Sequence, residues 1–295
     1  MQNNTTQVWA ILFDGQCREV TFPDQTSLDA ITRQLPDGFY STFRTYGEGT
    51  RVIGLKAHLR RLYDPVPAPD VEEDDLRRQL SLLLKDYVHE ARARVVMTKQ
   101  GRIYIMLEPL KLLPREVYEK GIRVETTDMA RNTPRLKSTA FITASHDERI
   151  NIAQKDIFEA LLVKNGEILE GMTSNFFYVT RPSTAPGLDM PLRGYSTNGF
   201  SQRELCTAQR DILLGVTRRT VIRVARGMGL EVKYQPLKRD QLNVAREAFI
   251  TSSSRGVVPV IQIDDVTVGQ GSPGQITKQL SAAYEEYVLA KAEEI

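Results

Sequence analysis

Residues 70–90, DVEEDDLRRQLSLLLKDYVHE, restrict the fold before any other stretch does. Acids fill the first turn, where they suit the positive end of a helix. Leu76, Leu80, Leu83, Leu84 and Val88 then recur on one face. A helix with a single apolar stripe needs a surface to cover it. The residues that follow, ARARVVMTKQGRIYIML, read as a hairpin. Helix beside hairpin is an α+β arrangement.

The flanking sequence extends that pattern. VWAILFDGQC is a strand running into an Asp-Gly turn, GFYSTFRTY and TRVIGL are further strands, and KAHLRRLYD starts a short helix before the Pro-rich PVPAP. EPLKLLPREVYEK reads as a crossing segment. Beyond it, helices (part of DERINIAQKDIFEALL, then GVTRRTVIRVARGMG and SPGQITKQLSAAYEEYVLAKAEE) mix with short strands (GEILE, NFFYVT, LEVKYQP, EAFITS, VVPVIQI). No internal repeat is visible. The order predicts a smaller N-terminal α/β domain over 1–112, a crossing segment over 113–120 and a larger C-terminal α+β domain over 121–295. The Pro/Gly/Ser-rich stretch RPSTAPGLDMPLRGYSTNGFSQR is long for a plain connection and reads as a surface excursion or an active-site flap.

Charge and composition exclude several classes. A net charge of +2 leaves no electrostatic footprint for nucleic acid or an anionic membrane. No run approaches the roughly 18–20 apolar residues of a membrane span. MQNNTTQVWA has neither the basic nor the apolar region of a secretory signal. Cys17 and Cys206 are the two cysteines, far apart, so a reducing cytoplasm is expected. His58, His89 and His146 are scattered and make no zinc spacing, so no protein-ligated metal is expected.

Five local features carry chemistry. In RLKSTAF, Lys137 precedes small residues; taken alone it is a surface charge. In EILEGMTSNFF, Glu170 ends an apolar run, where a carboxylate is expensive to bury without a partner. In LLGVTRRTV, a Gly-Val-Thr turn opens an apolar helix, and its free N–H groups with the Thr217 hydroxyl suit a phosphate, although alone it is a plain N-cap. FITSSSRGVVPV places a run of hydroxyls at a strand end, either a polar turn or further donors to an anion. HLRRL adds two arginines on a short helix, Arg60 and Arg61, that suit phosphate or lie as a solvated basic turn. Together these are an amine, an acid and a phosphate cradle, the set pyridoxal phosphate requires.

The ordered set HLRRL, RLKS, EILEGMTSNFF, LLGVTRRTV and FITSSSRGVVPV resembles the class IV aminotransferases, the fold-type IV pyridoxal phosphate enzymes, from about residue 38 to about residue 265. The family includes branched-chain and D-amino-acid aminotransferases, R-selective amine transaminases and aminodeoxychorismate lyase. The resemblance implies a two-domain fold-type IV enzyme, a homodimer, with pyridoxal 5′-phosphate as cofactor and small-molecule partners, an amino donor and a 2-keto acid acceptor, used in ping-pong fashion. It assigns Lys137 to the Schiff base and the proton shuttle, with a pKa low enough to supply a neutral amine. Glu170 is assigned to the ring nitrogen, Asn175 to the turn after it, Arg61 to the phosphate, Val216 and Thr217 to further donors, and Ser253 to the position where the family commonly has threonine. Tyr40 and Arg44 match a pocket-lining strand. Ser254 and Arg255 match a turn that receives the substrate carboxylate, with Arg255 either an added clamp or solvent-facing.

Departures limit the substrate reading. Ser41 stands where relatives often carry glutamate, and Ile142 where branched-chain enzymes carry tyrosine. The arginine–histidine carboxylate trap of D-amino-acid enzymes is not found in MTKQGRIYIML. The donor is therefore open among branched-chain or other hydrophobic amino acids, D-amino acids and R-amines. A pyruvate-releasing lyase on the same fold and a non-catalytic relative are the alternatives. A hydrolase using a serine of TSSS lacks a base–orienter set.

Overall fold

The computed structural model describes residues 6–87, 89–180 and 203–295. Val88 of the amphipathic face and residues 181–202 of the long Pro/Gly/Ser-rich stretch lie outside the described residues. By contacts the chain divides into two compact units, the first comprising Met1–Leu112, Arg131–Glu148 and Glu286–Ile295, the second Leu113–Ala130 and Arg149–Glu285. No single cut in the sequence separates them.

The first unit is built on a five-stranded antiparallel sheet in the order Cys17–Glu19, Gln7–Ile11, Ile103–Pro109, Ala91–Thr98, Gly38–Arg44. Both faces are covered. The amphipathic helix, Glu73–Asp86, presses Leu76, Leu80 and Leu84 into a core that includes Val95, Met97, Ile105 and Leu107. Leu83 packs at its edge. Leu55, Leu59 and Leu62 of helix Leu55–Tyr63 join the same core. The alternate strand residues, Tyr40, Val96 and Met106, meet Leu28, Ile31 and Ile142 on the other face. Each fully buried leucine contributes about 1.5–3 kcal/mol. TRVIGL forms only a two-residue strand, Arg51–Val52, paired with Glu293–Glu294. Gly54, at φ +67°, turns the chain from that strand directly into the helix, which shortens the strand the composition predicts.

The second unit is a larger sheet whose central path closes. Asn175–Thr180 pairs with Glu247–Ser252, which pairs with Gly256–Ile263. Ile122–Thr127 and Glu159–Lys164 follow in parallel, and Glu167–Gly171 lies antiparallel to the latter. One further pairing, Glu170 with Asn175, joins the last strand back to the first. Period-two alternation sends Phe176, Tyr178, Ala248, Ile250, Leu161 and Val163 into one core. Asn175, Phe177, Phe249 and Thr251 therefore occupy the opposite face, where Phe177 and Phe249 stack at 5.0 Å. Cys17 and Cys206 are free thiols. Among the described residues no helix is long and apolar enough to cross a membrane.

Candidate functional site

Lys137 is fixed by its backbone to the edge of the first unit's sheet. The Tyr40 amide donates to the Lys137 carbonyl (2.9 Å), and the Thr139 amide donates to the Gly38 carbonyl (2.9 Å). The Gly38 amide in turn donates to Thr139 Oγ1 at 2.9 Å. Residues 137–139 thus run as a short antiparallel addition to strand Gly38–Arg44, with Phe39 opposite Ser138. Gly38 is itself pressed against the neighbouring strand, where a Cβ would lie 2.2 Å from the Met97 carbonyl oxygen. The half-buried lysine brings its Nζ 4.7 Å from the centroid of the buried Tyr40 ring.

Other candidates in this unit divide by their contacts. Arg44 donates to Glu90 at 2.7 Å and lies over Tyr46, so its charge already has a partner. Ser41, at the departure from the family's glutamate, bonds buried His58 Nδ1 at 2.8 Å. Arg61, in the last turn of helix Leu55–Tyr63, is half-buried, whereas Arg60 is exposed.

The second unit gathers Glu170, Asn175, Val216, Thr217 and Ser253. Glu170 is 2% exposed. Its Oε2 accepts from Asn175 Nδ2 (3.0 Å) and from the Leu213 amide (3.1 Å). Asn175 Nδ2 also donates to the Leu213 carbonyl at 2.8 Å. The residue read from sequence as ordering one turn therefore ties the carboxylate to a second segment, 207–215, that leads into helix Val216–Gly227. That helix begins at Gly215 with no side-chain cap, so its first amides have no acceptor within the helix. Thr217, buried in its first turn, donates to Ser253 Oγ at 3.3 Å. Thr251 Oγ1, on the same face as Asn175, is buried with no hydrogen-bond partner among the described residues.

Gly215 is a close-approach residue: a Cβ there would sit 2.2 Å from Asn175 Oδ1. Gly215→Ala is expected to push the Asn175 amide off Glu170 and to destabilise the protein by about 1–3 kcal/mol. Urea unfolding measures this, and an unchanged midpoint contradicts it.

Ser254 and Arg255 lie in the turn between strands Glu247–Ser252 and Gly256–Ile263, both half-buried. The Arg255 guanidinium meets Glu159 at 3.2 Å. Glu159 was not among the sequence candidates. Its signal is the one that Glu170 gives, an acid against an apolar run, here FEALLV. At the first position of a strand it reads as solvent-facing, yet it is 3% exposed. Among the described residues no cluster of three or more His, Cys, Asp or Glu side chains has metal-site geometry.

Comparison with known proteins gives the family and the fold. The family described as amino-transferase class IV matches residues 38–263. The D-alanine aminotransferase of Bacillus licheniformis is 26% identical over 95% of this chain and 98% of its own length. The branched-chain-amino-acid aminotransferase of Pseudomonas aeruginosa is 23% identical over 96% and 94%. The fold is similar to that of a branched-chain amino acid aminotransferase from T.th. solved with pyridoxamine 5′-phosphate, with a TM-score of 0.74 at 21% identity, covering 98% of this chain and 96% of that one.

Proposed function

Because the chain belongs to the class IV aminotransferases, enzymes that work with pyridoxal 5′-phosphate, we propose that it moves an amino group from an amino acid to a 2-keto acid in ping-pong fashion, through the residues described above. The observation that carries this reading is the bridge between Glu170 and Asn175, which presents a buried carboxylate beside an uncapped helix start and a pair of hydroxyls. The residues of the second unit fit the cofactor. A buried carboxylate suits a ring cation, and the uncapped start of helix Val216–Gly227 with Thr217 and Ser253 suits a phosphate. The missing side chain of Gly215 leaves room for the Asn175 amide that holds Glu170.

When bound, pyridoxal 5′-phosphate supplies an aldehyde that takes up the amino group and a ring that draws electrons from the substrate Cα. The chain's own residues do the rest. Lys137 Nζ holds the cofactor and takes the proton from the substrate Cα, acting as general base and then as acid. Glu170 keeps the ring nitrogen protonated, and Asn175 holds Glu170 in place. Arg61, the Val216 and Thr217 amides and the Thr217 and Ser253 hydroxyls hold the phosphate. Tyr40 and Arg44 border the substrate, and the turn at Ser254 and Arg255 receives its carboxylate. The same reading makes the enzyme a homodimer. Two free cysteines favour a reducing, cytoplasmic setting.

The test is a half-reaction screen. Holoenzyme is mixed in turn with L-amino acids, D-amino acids and chiral amines, and bleaching of the yellow form is followed. Bleaching by an amino acid, restored by a keto acid, supports the reading. Pyruvate release without an acceptor supports a lyase instead. Arg61→Ala is expected to weaken cofactor binding by about 10–100-fold, the loss of one or two charge-assisted hydrogen bonds. Equilibrium dialysis of the cofactor measures this, and wild-type retention counts against Arg61.

A further inference from the structure

The turn at residues 253–255 is held from outside its own hairpin. Glu159 opens strand Glu159–Lys164 and is buried. Its Oε1 accepts from the Thr173 amide and from Thr173 Oγ1 (2.9 Å), and its Oε2 accepts from Arg255 Nη2 (3.2 Å). The same Nη2 donates to Thr173 Oγ1 at 2.6 Å, and Arg255 Nε donates to Ser252 Oγ at 3.0 Å. The guanidinium lies 5.2 Å from the Phe158 ring centroid, and the Arg255 carbonyl accepts from the Tyr118 hydroxyl at 2.8 Å. Glu159 thereby ties two loops together. One is the 172–174 connection between Glu170 and Asn175. The other is the 253–255 turn.

This geometry changes what Arg255 can do. A bidentate grip on a carboxylate needs two adjacent N–H donors on one guanidinium edge. Nε and Nη2 are both engaged within the protein, leaving Nη1 without a protein acceptor among the described residues. The charge of Arg255 is matched by a carboxylate whose side chain is 4% exposed. The turn itself closes through the Arg255 amide donating to the Ser252 carbonyl (3.3 Å), with Gly256 at φ +66° completing the hairpin. Such a turn directs the Ser253 and Ser254 amides away from the hairpin ladder.

We propose that Glu159 is a positioning residue for substrate recognition: it locks Arg255 against Thr173 as a strut, and so fixes the Ser253–Ser254 backbone that receives the donor carboxylate. This rests on the turn's role stated above. Arg255 acts through the turn and not as the clamp. The two roles predict opposite signs for one substitution. If Arg255 is a strut, neutralising Glu159 loosens the turn and weakens carboxylate binding. If Arg255 is the clamp, neutralising Glu159 frees its charge and tightens binding.

The experiment is steady-state kinetics of the holoenzyme with its fastest amino-acid donor from the half-reaction screen. Glu159→Gln and Arg255→Met are each expected to raise the donor KM about tenfold with kcat within about twofold. The double variant is expected to be no worse than either single one, because both remove one interaction. Thr173→Val, at an exposed position, removes the shared hydroxyl and is expected to raise KM about threefold even if the buried substitution impairs folding. A lowered or unchanged KM in Glu159→Gln overturns the strut. Additive effects in the double variant overturn it as well. A wild-type enzyme that no amino acid bleaches fails the functional reading instead, which keeps the two failures apart.

Discussion

Lys137→Ala protein is expected to show no colour shift with any amino donor and to lose turnover by about 10⁴-fold, the upper range for removing a positioned acid–base group. The structure gives this lysine a setting that no other described lysine has. Lys56, Lys85, Lys99, Lys111, Lys120, Lys155, Lys164, Lys238, Lys278 and Lys291 are all exposed. Lys233 is ion-paired with Glu231 and Glu204, and its side chain is 42% exposed. Among the described residues Lys137 alone combines partial burial with an aromatic face 4.7 Å from its Nζ and a backbone locked to a sheet edge on both sides of the residue. A fixed backbone matters because a misplaced amine of the right basicity loses the advantage of proximity. Borohydride treatment of the yellow protein followed by peptide mapping checks the assignment independently of rate. The cofactor mass is expected on the peptide containing Lys137, and label on another lysine refutes it. Alanine leaves the hydrogen bonds of Tyr40 and Thr139 intact, so unfolding behaviour is expected to stay close to wild type.

How far the sequence carries differs by element. Helix Glu73–Asp86 and the hairpin of strands Ala91–Thr98 and Ile103–Pro109 are legible because their signals are local, acids at a helix start and apolar residues at a fixed period. The α+β class and the class IV resemblance follow from such signals and their order. The grouping of Lys137 with the N-terminal sheet is not legible, since it depends on a pairing with Gly38–Arg44 across about a hundred residues, and no short window encodes that register. The same limit hides the closure of the second sheet. Residues 170 and 175 are near in sequence, but only the chain of pairings through Glu247–Ser252 and Ile122–Thr127 makes their bridge the closing one. Glu159 was missed for a chemical reason. An acid beginning a strand is ordinarily solvated, and what buries this one is an arginine 96 residues away.

Glu170→Gln is expected to keep the cofactor within a few-fold of wild-type affinity while losing about 10²–10³ in kcat. Two of the contacts of the carboxylate bear on how the fold tolerates the change. Both the Asn175 Nδ2 and the Leu213 amide donate to Oε2. A glutamine whose carbonyl oxygen takes the Oε2 position still accepts both bonds, so neither of these donors is orphaned. What changes is the charge, and with it the other terminal atom, which becomes an NH₂ donor in place of an anionic oxygen. A neutral donor would not hold a proton on the cofactor's ring nitrogen, so residue 170 would no longer support loss of the substrate Cα proton. Affinity is expected to change little because the residues proposed to hold the phosphate, Arg61, Thr217 and Ser253, are untouched. The discriminating variant is Glu170→Asp, which keeps the charge but shortens the side chain by one methylene, and is expected to retain more rate than Gln despite poorer packing. Dialysis and single-turnover bleaching, run on the same preparations, separate binding from rate. Wild-type bleaching in Glu170→Gln, or an Asp variant slower than the Gln variant, would mean that the buried carboxylate serves the fold and not the ring.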